Sequence, residues 1–259
     1  MLENLFIFVT LDISIWKLVP SSTDFLVPAE NVVKVKQNLS SRNMTFIVTI
    51  PNVQRSIDDQ KTSPALWDEH TLRIGHRMNW KSFPPLNIIE EYLNFLAEEY
   101  SSICKLQDIG YTSENRAIKN VVSNTKKRVN ALIDVHSYGH LILYPWCARS
   151  QKSPDLDLHK LTAEEMAKAI MAESGIKYNH GPTYHRIYPA TGTMLDWIYY
   201  QGAKHSYAIE TRDNGQFGFL LPPHEIEDTG KEIFAAVNSL ASTLDPKILQ
   251  RAKDTEAWF

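Results

Sequence analysis

Cysteine is scarce. Cys104 and Cys147 are the only two in 259 residues, so at most one intrachain disulfide can form, and two cysteines leave the redox compartment open. Long apolar runs are also missing. The run 5–11 is too short to span a bilayer, and Glu3 and Asp12 flank it where a secretory signal would carry a positive region and a small-residue cleavage site. Neither a membrane span nor a clear signal peptide is read there. An excess of one charge is lacking too: 27 Lys and Arg stand against 30 Asp and Glu, a net charge of −3 that offers no basic face to nucleic acid. Repeats and low-complexity tracts are absent. With 43% hydrophobic and 22% charged residues, the chain has the composition of an ordinary globular protein, long enough for one large domain or two modest ones.

Periodicity divides it in two. Residues 6–19 alternate and are rich in β-branched side chains, residues 28–39 carry Val32, Val35 and Leu39 at helical spacing, residues 44–50 read as a second strand and residues 52–58 as a short helix. This predicts a small α+β unit over residues 1–60. A polar, aperiodic stretch over 61–78 reads as a linker, and 79–259 as the main domain. There, Leu86, Ile89, Leu93, Leu96 and Tyr100 mark an amphipathic helix after Pro84-Pro85, residues 117–126 read as a helix and residues 131–135 as a buried strand. Thr162-Ala163-Glu164-Glu165 has the form of a capping box opening a helix that Gly175 closes. Residues 193–200 read as a helix stopped by Gly202, residues 206–209 as a strand, and Ile226, Ile233, Val237 and Leu240 as the buried stripe of a last helix. Strands alternating with helices predict an α/β fold, a mixed sheet flanked by helices on both faces.

In such sheets function gathers where strands end. His136 directly follows one apolar strand and Glu210 another. On residue type alone, the plainer reading prevails: His136 as a hydrogen-bonded histidine at a strand edge and Glu210 as a partner of Arg212. A serine hydrolase built on Ser137 and the nearby histidines is a distant further reading, because no Gly-x-Ser-x-Gly elbow surrounds Ser137.

The longer words ALIDVHSYGHLILYPW (131–146) and IYPATGTMLDWIYYQGAKHSYAIETRDNGQFGF (187–219) resemble the zinc metallocarboxypeptidases of the carboxypeptidase A and B type. The likeness includes Asp196-Trp197, Gln201-Gly202 and Glu210-Thr211-Arg212-Asp213 followed by Gly215 and Gly218-Phe219, and continues to about Leu240. Ile15-Trp16-Lys17-Leu18-Val19-Pro20 and the β–α–β–α pattern around it resemble a shortened activation propeptide, and residues 79–116 the opening of the mature enzyme.

The resemblance implies a zymogen-type protease, extracellular in setting, acting on peptide or protein C-termini with zinc as cofactor. It implies His136 as the last zinc ligand, Glu210 as the carboxylate that activates water, Tyr188 as the tyrosine covering the substrate terminus, and Ser137, Tyr138 and Phe219 as substrate contacts. Leu195 matches the base of the side-chain pocket, with Ala190 and Ala208 beside it. An apolar pocket there implies a preference for aromatic or aliphatic C-terminal residues, because it would desolvate a cation without pairing it. Packing on a helix face is the plainer reading of Leu195. What the family has and this chain lacks is a His-x-x-Glu motif upstream of the last ligand: between Arg116 and His136 there is no His and no Glu. Residues 117–130 resemble the helix just before the final ligand strand, as though a central block were missing and the fold incomplete. The one literal His-x-x-Glu, His224-Glu225-Ile226-Glu227, falls at a structural position of the match, and Asp68-Glu69-His70 and His76 lie in the linker region. Three readings remain: a metallocarboxypeptidase impaired in this chain because its central block is missing, a non-catalytic carboxypeptidase-like binding protein, or an enzyme that has recruited replacement ligands.

Overall fold

The computed structural model describes residues 11–19, 22–61, 75–114, 117–123 and 130–244. Their contacts separate two units, one of residues 1–52, 130–221 and 228–259, the other of 53–129 and 222–227.

The first unit is built on a four-stranded mixed sheet. Its strands are β5 (Ala131–His136), β6 (Leu141–Tyr144), β7 (Asn179–Pro182) and β8 (His205–Glu210), in the order β5-β8-β6-β7. β5 runs parallel to β8, β6 antiparallel to β8 and parallel to β7. Side chains alternate between faces with period two. On one face Ala131, Ile133, Ile142, Tyr144, Tyr207 and Ile209 pack on helix α4 (Leu156–Ser174) and helix α7 (Ile226–Leu244), through Met166, Ile170, Ala236 and Leu240. On the other, Leu132, Leu141, Leu143 and Ala208 meet Leu195 of helix α6 (Met194–Tyr200) and Cys147. Helices therefore cover both faces of a mixed sheet, as expected.

The N-terminal part of this unit holds an antiparallel hairpin, β1 (Ser14–Val19) and β2 (Ser22–Leu26), followed by helix α1 (Val32–Ser41). Residues 44–50 do not form the strand their alternation predicts: no sheet partner meets them among the described residues, and Met44, Phe46, Ile47 and Val48 stay exposed. The expected strand over 6–19 begins at Ser14 among the described residues, and residues 6–10 lie outside them.

The second unit contains helix α2 (Val53–Lys61), helix α3 (Leu86–Glu99) and an antiparallel pair, β3 (Cys104–Tyr111) and β4 (Ala117–Ser123). Here the helix expected over 117–126 is corrected. Ala117–Ser123 is a strand paired with Cys104–Tyr111, because its Val-Val pair and alternation suit a ladder once a partner is at hand. In α3, Tyr92 and Phe95 pack edge-on against His76. Most of the expected linker, 62–74, lies outside the described residues.

Two helix starts separate sequence signal from structure. α4 begins at Leu156, six residues before Thr162, which is buried mid-helix, so the capping-box reading is corrected: a buried apolar stripe outweighs a local cap signal. Gly175 does end it, in the left-handed conformation at φ 73°. α6 starts as predicted, with the Thr193 hydroxyl accepting from the Asp196 backbone N–H. The short helix α5 (Thr183–Arg186) was not foreseen.

Candidate functional site

The ends of β5 and β8 stand side by side, with His136 the register partner of Glu210 and Asp134 that of Ala208. Leu132 and Ala208 face the Leu195 cluster, so period two puts Asp134, His136 and Glu210 on that same face. Backbone bonds fix the two ends. The Thr211 N–H and hydroxyl both donate to His136 O at 2.9 Å, and Gly139 N–H and His140 N–H donate to Thr211 O at 2.9 and 3.2 Å. A crevice beyond the carboxyl ends of paired strands is where a ligand site belongs in such a sheet.

His136 Nε2 lies 3.0 Å from Asp134 Oδ2. A carboxylate only accepts, so Nε2–H is the donor, and in the neutral ring the lone pair is on Nδ1. Glu210 is raised above the ordinary carboxylate value by burial first, against the opposing pull of His136 and Lys17. Its carboxylate is not the partner of Arg212 that residue type alone allows. The Arg212 guanidinium donates to Glu232 Oε1 at 2.7 Å, and Glu232 Oε2 accepts from the Tyr178 hydroxyl at 2.9 Å.

Around these groups the loops are tightly tied. Asp213 accepts from the backbone N–H groups of Gly215, Phe217 and Gly218, which shapes the turn that presents Phe219. The Phe219 ring lies 5.1 Å from that of Tyr138. Trp16 of β1 packs edge-on against Phe219 at 5.4 Å, and Lys17 Nζ sits 5.2 Å from the Tyr138 ring centre. Across the hairpin Lys17 is paired in register with Asp24, whose carboxylate accepts from the Tyr138 hydroxyl at 2.8 Å. Burial and Asp24 together push the Tyr138 phenol well above its ordinary value. A register shift between Ile15 and Lys17 leaves Trp16 out of the ladder, as a bulge that redirects one side chain does.

The residues expected at the side-chain pocket share this face but lie farther back along β8, where the Ser206 hydroxyl donates to Leu195 O and Ala190 N–H to Cys147 O beyond the end of β6. Leu195 and Ala208 are buried together with Leu143 and Cys147, and Ala190 packs at the edge of that cluster. Asp196 holds α6 in place, its carboxylate accepting from Cys147 N–H at 2.9 Å and Ala148 N–H at 3.0 Å. Ser137 is exposed, and Tyr188 is half exposed. The structure thus brings His136, Glu210, Tyr138 and Phe219 to one end of the sheet. Sequence reasoning missed Asp134, although a charge two residues before His136 inside an apolar strand was its signal. It also missed the contacts of Trp16, Lys17 and Asp24 with Tyr138 and Phe219, which no periodicity announces.

A zinc ion does not fit this donor set. A catalytic zinc takes three protein ligands, and among the described residues no three His, Cys, Asp or Glu side chains converge on a point that could hold a metal ion. His136 has Nε2 engaged by Asp134, and the nearby His140 ring packs on Tyr178. His76 is used in aromatic packing, His224 is largely exposed beside Glu225, and Asp68-Glu69-His70 lie outside the described residues.

Comparison with known proteins bears on family and fold. The model of the zinc carboxypeptidase family matches residues 117–236, and that of the carboxypeptidase activation peptide matches residues 2–60. Residues 117–236 thus belong to the zinc metallocarboxypeptidase family, and residues 2–60 to its activation peptides. The chain is 34% identical to carboxypeptidase A6 of Mus musculus over 131 residues, 51% of this chain and 30% of the relative. To carboxypeptidase B2 of Homo sapiens it is 38% identical over 146 residues, 54% of this chain and 34% of the relative. The match thus spans about a third of these curated relatives. Among solved structures, thrombin activatable fibrinolysis inhibitor shares the fold at a TM-score of 0.78 and 19% identity, over 94% of each chain. The carboxypeptidase A of Helicoverpa armigera does so at 0.71 and 15%, again over 94% of each. No described helix is long and apolar enough to cross a membrane.

Proposed function

We propose that this chain is an impaired metallocarboxypeptidase: it keeps the proton-transfer and substrate-facing part of the site and does not hydrolyse peptides as it stands. One observation carries the reading. His136 and Glu210 stand side by side on one face at paired strand ends with no three-ligand group among the described residues. In this reading Glu210, whose affinity for a proton burial raises, is the group that would move a proton, and Tyr138, Phe219, Ser137 and Tyr188 are the substrate contacts. Leu195, Ala190 and Ala208 line the side-chain pocket, whose apolar character favours peptide C-termini ending in aromatic or aliphatic residues. Asp134 does not alter that preference, because its carboxylate is engaged with His136. Residues 1–60 are a propeptide-like unit, 61–78 a linker and 79–259 the truncated catalytic part, and the setting is extracellular, as in the family.

The test is a peptidase assay. The purified chain, supplied with zinc, is incubated with a peptide ending in Phe and another ending in Lys, and the products are weighed by mass spectrometry. Both peptides should remain intact. Release of the terminal Phe at a rate above the zinc-only control would overturn the reading, and release of Lys alone would overturn the pocket assignment as well.

A further inference from the structure

The sheet face opposite Glu210 carries three histidines that the proposed function does not use. His159 is on α4, His180 on β7 and His205 at the start of β8. Their rings gather round two tyrosines: Tyr144 lies 5.6 Å from His159 and 6.5 Å from His180, and Tyr207 lies 5.9 Å from His159 and 6.4 Å from His205. His159 is fully buried. Its Nε2 is 2.8 Å from Lys204 O and its Nδ1 3.1 Å from Ser153 Oγ. A carbonyl oxygen only accepts, so Nε2 carries the proton and Nδ1 accepts from the Ser153 hydroxyl. Both nitrogens are then satisfied in the neutral ring. Nδ1 of His180 and Nδ1 of His205 are buried with no hydrogen-bond partner among the described residues.

An imidazolium carries a proton on both nitrogens. Protonating His180 or His205 therefore puts a charged N–H where no acceptor waits, and protonating His159 puts a charge on a fully buried ring, even though the Ser153 hydroxyl can turn to accept its new N–H; both are costly away from water. We propose that His159, His180 and His205 form an acid-sensitive lock that holds α4 on the sheet at neutral pH and releases it on acidification.

The charged neighbours do not cancel the effect. Asp155 faces His159 and His205 and favours their protonation, but it is already bonded by the Tyr199 hydroxyl at 2.9 Å and by Lys204 Nζ at 3.3 Å. Glu164 of α4 favours protonation of His180, while Arg186 of α5 and Lys160 of α4 oppose it. Tyr207, pushed up to about 12 by burial, stays uncharged throughout. In all three histidines burial is the largest influence and the value falls below the ordinary 6.5. The unfolded chain then binds protons more readily than the folded one. Stability is complete above about pH 6.5 and is lost as the pH falls through that value, with the unfolding constant rising by up to about tenfold per pH unit for each histidine.

Hydrogen exchange of the full chain at pH 7.5 and pH 5.5, corrected for the chemical exchange rate, tests the lock. Amides of α4 and β7 should lose about tenfold or more of their protection at the lower pH. In a His180→Gln, His205→Gln double variant, whose substituted side chains are only partly buried and so spare the fold, the acid-induced loss should shrink by about tenfold or more. Undiminished α4 protection at pH 5.5 in the unmodified chain would overturn the proposal. So would an equal acid-induced loss in the double variant, which would assign it to groups other than His180 and His205. Neither outcome bears on peptide hydrolysis, so this test stands apart from the peptidase assay.

Discussion

Tyr138 ties three parts of the first unit together through one ring. Its hydroxyl donates to Asp24, its face is covered by Lys17 and its edge meets Phe219. Removing the hydroxyl alone separates the hydrogen bond from the packing. Tyr138→Phe should lower stability by about 1–2 kcal/mol, the low end for a bond to a charged acceptor that can rehydrate, read as a shift in the urea midpoint with unchanged slope. An unmoved midpoint would show that the Tyr138–Asp24 bond contributes nothing in solution. At this scale the sequence was informative where chemistry is strung along one strand and silent where it is assembled from two. His136 and Glu210 were legible because each caps an apolar run. Trp16, Lys17 and Asp24 were not, because their meaning lies in the side chains they touch more than a hundred residues away.

Elements were legible where buried faces repeat and misread where a partner decides. β5 and β8 stood out as short apolar runs with polar ends. Ala117–Ser123 became a strand through pairing with Cys104–Tyr111, whereas residues 44–50, with a stronger alternation, stayed unpaired among the described residues. A ladder needs two strands, and one segment cannot reveal whether the other arrives. Two glycines give a matched test of what turns contribute. Gly175 at φ 73° ends α4 with open space where a Cβ would go, so Gly175→Ala should cost about 1–2 kcal/mol from backbone conformation alone. Gly218, at φ 59°, would set a Cβ 2.9 Å from the Trp16 ring. Gly218→Ala should therefore cost more and also displace Trp16, visible as a change in tryptophan fluorescence that Gly175→Ala does not produce. Equal costs and unchanged fluorescence in both would contradict the packing of Trp16 on this turn.

For the whole molecule, the family was legible from two stretches of sequence, and the mixed sheet covered on both faces bears out the fold expected from it. Competence for chemistry was legible only as an absence: no His and no Glu between Arg116 and His136. The structure gives that absence a physical form. Glu210 is kept in a half-buried position that raises its affinity for a proton, the His136 imidazole beside it in register is bonded to Asp134, and among the described residues no three-ligand group surrounds them. Zinc stoichiometry tests this most directly. After the purified chain is saturated with zinc and dialysed against a weak chelator, metal analysis should find far less than one zinc per chain, and His136→Ala should leave that value unchanged. One tightly retained zinc per chain, lost on His136→Ala, would contradict the account and show that side chains outside the described residues complete the site.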